Sequence, residues 1–174
     1  AMTADPPPLR IVVGADEAGL QLKDAIKELV AGDDRVIEVV DVGVGTSSEP
    51  NATRRDVSVR AIPAGSQALD LGPESVKLIE SVVAGAHTVI WNGTLGFTES
   101  PPFSVASAAL ASILVDKRSE IDSIVGGGDT ADFVIHWDAR QGESFGHVST
   151  GGGASLELMA GEKLPGIEAL LDAR

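Results

Sequence analysis

Short apolar runs alternate along this chain with segments whose apolar residues recur at helical spacing. The runs at 9–13 and 36–42 flank a segment at 21–30 with one apolar helical face, so the start predicts a β-α-β unit. A polar stretch at 43–55 follows, and then the alternation resumes. The later predicted strands cover 57–62 (an edge strand), 88–91, 121–125 and 145–148, and the later predicted helices cover 75–83, 103–114, 129–135, 154–159 and 164–171. This order predicts an α/β fold, a three-layer, doubly wound and mainly parallel Rossmann-like sheet.

The length and composition favour one compact domain with an aliphatic core. The 174 residues are 43% hydrophobic but only 3% aromatic, which is typical of stacked strand and helix layers. We interpret residues 1–8, with their consecutive prolines, as a disordered lead, and residues 9–174 as a single α/β domain.

Charge and cysteine content exclude several function classes. A formal net charge of −13 argues against nucleic acid and anionic membranes as partners, because nothing would offset the repulsion. The absence of cysteine excludes disulfides, thiolate metal sites and a thiol catalyst. No apolar run is long enough to span a membrane and no secretory pattern opens the chain, so we expect a cytoplasmic protein.

Two glycine triplets, at 126–128 and 151–153, each follow a predicted strand and open a predicted helix. Glycine lets the backbone approach a phosphate closely, and a helix start presents unpaired N–H groups and the positive end of its dipole. At the ends of neighbouring parallel strands, two such loops would grip successive phosphates of one nucleotide. The alternative is that both are tight turns, and Asp129 would then be only a helix N-cap.

From about residue 58 to the end, the chain resembles the carboxy-terminal, nucleotide-binding domain of phosphoglycerate kinase. The motifs occur in family order and cover roughly two thirds of the chain. They are IPAG at 62–65, LDLGPES at 69–75, VIWNG at 89–93, Glu99 followed by Phe103, IVGGGDT at 124–130 and HVSTGGGASLE at 147–157. The resemblance implies a site for ATP or ADP with magnesium.

The resemblance also assigns roles to residues along the nucleotide. At the adenosine end, Leu69 would line the adenine pocket, Asn92 would lie along the nucleotide and Glu99 would accept hydrogen bonds from the ribose. At the phosphate end, Asp129 would hold the magnesium ion. The remaining implied contacts are Gly126, Gly127, Gly128 and Thr130 with the terminal phosphates, and Gly151, Gly152 and Gly153 with the transferred phosphoryl group.

The first segment, at about 9–44, resembles a different family. IVVGADEAG at 11–19 and VVDVG at 39–43 are similar to the opening β-α-β of B-type ribose 5-phosphate isomerases and related sugar-phosphate isomerases. The resemblance implies that Asp16 and Glu17 contact a sugar phosphate, although acidic residues there also suit a helix N-terminus. The cysteine that shuttles the proton in that family is absent. Because the two segments resemble two different families, we interpret the chain as a chimera of two α/β parents.

The expected function is partial adenine-nucleotide binding without complete phosphoryl transfer. The chain lacks a counterpart of the family's phosphoglycerate-binding domain and of its phosphate-binding lysines, and phosphoryl transfer depends on positioning and charge neutralisation. Whether the chain is an enzyme is left open. A ligand-free structural chimera and a sugar-phosphate isomerase-like activity are the alternatives. The expected partner is a small-molecule nucleotide, and a homodimer that restores missing strands also stays open.

Overall fold

A computed structural model describes residues 41–46, 51–159 and 161–172. The chain divides into two compact units. The first contains the described residues up to Ala86 together with Leu95–Leu110, and the second contains His87–Thr94 and the described residues from Ala111 onwards. The predicted lead and most of the predicted first β-α-β unit lie outside the described residues. The single-domain interpretation of residues 9–174 stays a prediction.

The first unit is built on a three-stranded antiparallel sheet. Strands β1 (Asp41–Gly45), β2 (Arg55–Ser58) and β3 (Gln67–Leu71) lie in the order β2-β1-β3, with Val42 opposite both Val57 and Leu71. Helix α1 (Pro73–Val83) starts with proline at its first position and contacts β1. Its buried residues Ser75, Ile79 and Val83 recur at a spacing of four, which puts them on one face.

The second unit contains a parallel sheet with helices packed on it. Strands β4 (Thr88–Asn92), β5 (Asp122–Gly126) and β6 (His147–Ser149) lie in the order β4-β5-β6. The remaining helices are α2 (Val105–Asp116), which contributes to both units, α3 (Gly128–Trp137), α4 (Gly152–Met159) and α5 (Pro165–Asp172). Helices α3 and α4 both contact β5. The carboxyl ends of the three strands therefore lie at one edge, where α3 and α4 begin.

The predicted α/β class is confirmed, with the later elements within a few residues of their expected bounds. The first unit differs from expectation, because its strands pair antiparallel and strand β3 was not predicted. A tight turn explains the approach to β3: Ser66 N–H donates to the Pro63 carbonyl over 3.1 Å, and Gly65 has φ 77°. In the described part of the chain, no helix combines the length and apolar character needed to cross a membrane.

Candidate functional site

The two glycine triplets meet in the second unit, at the carboxyl edge of the parallel sheet. Gly126 ends β5, and Gly152 opens α4. A Cβ atom added to Gly152 would lie 2.4 Å from both the Cα and the N of Gly127. Because real Cβ contacts are never this short, the two backbones touch only while residue 152 is glycine. The structure thus brings together the two loops that the sequence singled out.

The side chain of Asn92, at the end of β4, lies against both loops. Its Nδ2 would be 3.3 Å from a Cβ on Gly126 and 3.1 Å from a Cβ on Gly152. Its Oδ1 would be 3.1 Å from a Cβ on Gly127. The end of β5 and the start of α4 therefore meet at the side chain of Asn92, with glycine backbone on its sides.

Helix α3 begins here with its N-terminal N–H groups open to a ligand. Gly127 is the N-cap with φ 97°, a conformation that favours glycine, and no side chain in the described ranges caps the helix. The first helical hydrogen bond runs from Ala131 N–H to the Gly127 carbonyl. Cβ atoms on Gly128 and Gly153 would meet nothing within 4 Å, so both loops face open space. Such a helix start attracts anions.

Because Gly127 is the N-cap of α3, Asp129 is not; it lies in the first turn of the helix and is exposed. Within the ranges that the structure describes, no cluster of three or more His, Asp or Glu side chains could hold a metal ion. Magnesium in nucleotide sites is commonly held by one or two carboxylates, with phosphate oxygens and water completing the octahedron. A single exposed carboxylate in the first turn of α3, beside the two glycine loops, fits that arrangement.

Thr130 anchors the turn that follows β4. Its side chain is buried, and its Oγ1 accepts a hydrogen bond of 2.9 Å from the Gly93 N–H. The Gly93 carbonyl accepts one of 2.8 Å from the indole of Trp91, which is buried and lies edge-on to Phe133. The expected contact of Thr130 with a phosphate stays a prediction.

Two of the three residues expected at the adenosine end, Leu69 and Glu99, belong to the first unit, whereas Asn92 belongs to the second. Leu69 is half-buried in β3, and its carbonyl accepts a hydrogen bond of 2.8 Å from the Phe97 N–H. Glu99 is exposed, two residues after Phe97. The first unit thus holds the loop of Glu99 against the strand of Leu69, and their roles toward adenine and ribose stay predictions. Asp16 and Glu17 lie outside the described residues.

Sequence reasoning missed a buried ion pair in the first unit. The Asp70 carboxylate accepts hydrogen bonds from Arg54 Nη1 and from the backbone N–H groups of Val105 and Ala106, at 2.5, 3.0 and 3.3 Å. Burial raises the pKa of Asp70 above its ordinary value, although the bond from Arg54 opposes this. A Cβ on Gly96 would lie 2.2 Å from Asp70 Oδ1, so the loop backbone packs directly on the carboxylate. The ion pair fixes the start of α2 to β3. The signal in the sequence that could have revealed it is an aspartate inside an apolar strand.

Comparison with known proteins identifies the family. The family model for phosphoglycerate kinase matches residues 12–162. Phosphoglycerate kinase of Trichodesmium erythraeum is 47% identical over 132 residues, 76% of this chain and 32% of the relative. That of Corynebacterium aurimucosum is 41% identical over 150 residues, 84% of this chain and 37% of the relative. The chain therefore spans about a third of the length of these relatives.

Solved structures agree with this comparison. Phosphoglycerate kinase from Coxiella burnetii superposes with a TM-score of 0.73 and 30% identity, over 88% of this chain and 39% of that structure. The enzyme from Pyrococcus horikoshii OT3, at 22% identity and a TM-score of 0.69 over 89% of this chain and 37% of that structure, supports the fold. The family match begins at residue 12, inside the segment interpreted as isomerase-like, so the two-parent origin gains no support. The chain belongs to the phosphoglycerate kinase family.

Proposed function

We propose that this chain binds the phosphates of magnesium ADP or ATP in the cradle formed by Asn92 and the two glycine loops, without completing phosphoryl transfer by itself. The observation that carries the proposal is the direct contact between the backbones of Gly127 and Gly152. It places two helix starts at one point, and each contributes N–H groups and a positive dipole end toward an anion.

Two glycines of the cradle have open space beside them, which favours a ligand-binding role over a role as tight turns. A turn that used glycine only for close packing would be crowded at every glycine, as Gly152 is. Gly128 and Gly153 instead have nothing within 4 Å of their Cβ positions. Both flank the point of contact between the loops, and they leave room for a phosphate against the backbone.

The charge of the cradle supports binding with magnesium. The cradle residues 126–130 and 151–153, together with Asn92, include no lysine or arginine, and the chain carries a net charge of −13. A polyphosphate therefore needs a counter-ion, and we propose that the Asp129 carboxylate would hold a magnesium ion in this role. The magnesium ion would neutralise phosphate charge and orient the phosphate chain.

The shortage of positive charge around the two glycine loops favours binding without catalysis. Phosphoryl transfer requires the transferred group to be surrounded by positive charge and aligned with an acceptor. Backbone amides and one magnesium ion supply only part of that charge here. The chain also spans about a third of its relatives, so the whole enzyme's reaction is not assigned to it. The contacts of Leu69 with adenine and of Glu99 with ribose stay expectations outside this proposal, because both residues belong to the first unit and the glycine loops belong to the second.

Isothermal titration with ADP, in the presence and absence of magnesium, tests the proposal. We expect wild type to bind more tightly with magnesium. Asp129→Asn should lose most of this magnesium dependence, with about tenfold weaker binding of the magnesium complex, corresponding to ~1.4 kcal/mol. It should bind free ADP at least as well as wild type, because a negative charge beside the phosphates has been removed.

Asp132→Asn is the matched control, since Asp132 is an exposed aspartate one turn further along the same helix and pairs with His136. It should change neither affinity by more than about twofold. A wild-type protein that melts cooperatively but binds no ADP would favour the ligand-free structural role instead. Isomerase-like activity is not proposed, because the phosphoglycerate kinase match covers the segment that holds Asp16 and Glu17.

A further inference from the structure

We propose a second anion-binding site in the second unit, in a cleft lined by Arg118, Arg140 and His147, that takes a small molecule with two anionic groups. The cleft has a volume of about 480 Å³. It is a shallow depression that lies largely open to solvent. The site is independent of the nucleotide proposal.

The topology separates this cleft from the glycine cradle. Arg118 lies between α2 and β5, and Arg140 lies between α3 and β6, so both precede the strands. His147 is the first residue of β6, whereas Gly126 and Ser149 end β5 and β6. Because β5 and β6 run parallel, the cleft lies at the amino edge of the sheet and the cradle at the carboxyl edge.

The positive charge in the cleft is available to a ligand. Arg118 is exposed and makes no ion pair with any residue in the described ranges. Arg140 contacts Glu143 at 3.5 Å, but both side chains are exposed, at 62% and 75%. Such surface pairs contribute little, so a ligand anion can replace the carboxylate. A guanidinium binds phosphate or carboxylate through two parallel N–H bonds, which makes two arginines suited to two anionic groups.

The loop that forms the cleft is held in place before any ligand arrives. The buried Asp138 carboxylate accepts hydrogen bonds from the backbone N–H groups of Arg140, Gly142 and Ser144, at 3.1, 3.0 and 3.1 Å, and from the Ser144 hydroxyl at 3.0 Å. Burial alone would raise the pKa of Asp138, but these bonds hold that pKa below its ordinary value. At the far end of the loop, Gly146 N–H donates to Ser123 Oγ over 2.9 Å. A fixed loop lowers the entropic cost of binding.

Pyrophosphate is the probe, and NMR of backbone amides at constant ionic strength is the readout. We expect the amides of residues 140–147 to shift and saturate. Arg118→Gln and Arg140→Gln should each weaken that binding at least fivefold. Arg60→Gln, which removes an exposed arginine of the first unit with the same change in charge, should alter it by less than twofold.

Glu143→Gln gives a test of opposite sign. Because Glu143 competes with the ligand for Arg140, its neutralisation should tighten pyrophosphate binding about twofold to fivefold. The proposal is overturned if the amides of 140–147 do not shift at millimolar pyrophosphate, or if Arg118→Gln and Arg140→Gln behave like Arg60→Gln. Shifts at 126–130 and 151–153 belong to the glycine cradle and are followed separately, so the two proposals can fail independently.

Discussion

Alanine should destabilise the second unit when it replaces Gly152 but not when it replaces the adjacent Gly153. A methyl group on Gly152 would lie 2.4 Å from two backbone atoms of Gly127. Carbon atoms normally approach to about 3.5–4.0 Å, so the two loops would have to separate by more than ~1 Å. The neighbouring atoms are backbone and cannot rotate away. A methyl group on Gly153 meets nothing within 4 Å.

The expected magnitudes follow from packing and helix propensity. Forcing an extra carbon into a filled site typically costs about 1–3 kcal/mol. Replacing glycine by alanine within a helix gains up to ~1 kcal/mol, and α4 includes both positions. Gly152→Ala should therefore destabilise the second unit by about 1–3 kcal/mol. Gly153→Ala should leave its stability unchanged or raise it by up to ~1 kcal/mol.

Urea denaturation followed by tryptophan fluorescence measures this difference in the correct part of the molecule. The protein contains two tryptophans, Trp91 and Trp137, and both lie in the second unit. Trp91 is buried and is clamped to the turn after β4, so its emission reports on the sheet edge that carries the loops. Equal stabilities of Gly152→Ala and Gly153→Ala would refute the contact between the loops.

Two further predictions concern the buried carboxylates. Arg54→Met should destabilise the first unit by about 3–5 kcal/mol, because it leaves the Asp70 carboxylate buried without its partner. Circular dichroism during urea unfolding measures the loss of stability. A loss below ~1 kcal/mol would contradict this expectation. Because the pKa of Asp138 is lowered in the folded protein, the ionised carboxylate adds to the free energy of unfolding at pH values above the ordinary carboxyl pKa. This contribution is lost as the pH falls through the lowered pKa. Asp138→Asn should therefore flatten the acid side of the tryptophan-monitored stability curve, and an unchanged acid dependence would show that Asp138 does not contribute.

The local features of the second unit were predictable from the sequence. Glycine triplets after apolar strands mark helix starts at one edge of a parallel sheet, and that edge is where Gly127 and Gly152 meet. In the first unit, helix α1 was also predictable, because Gly72-Pro73 marks its start and apolar residues follow at helical spacing. Each of these signals lies within a few consecutive residues, so it can be recognised in a single sequence.

Contacts between distant positions could not be predicted in this way. Arg54 and Asp70 are 16 residues apart, and Asp70 also meets the start of α2, 35 residues further on. Strand β3 begins after a turn at Gly65, and nothing in its short sequence indicates that it pairs antiparallel with β1. The loop around Asp138 was likewise missed, because its side chain organises backbone groups that show no periodic pattern.

We propose that the two glycine loops bind nucleotide phosphates together. Amide NMR of the 17.8 kDa chain during titration with magnesium ADP, and separately with adenosine, tests it directly. Magnesium ADP should shift the amides of residues 126–130 and 151–153 in a single saturable step, whereas adenosine should leave them unmoved. Shifts in only one loop, or in neither at millimolar magnesium ADP, would contradict it.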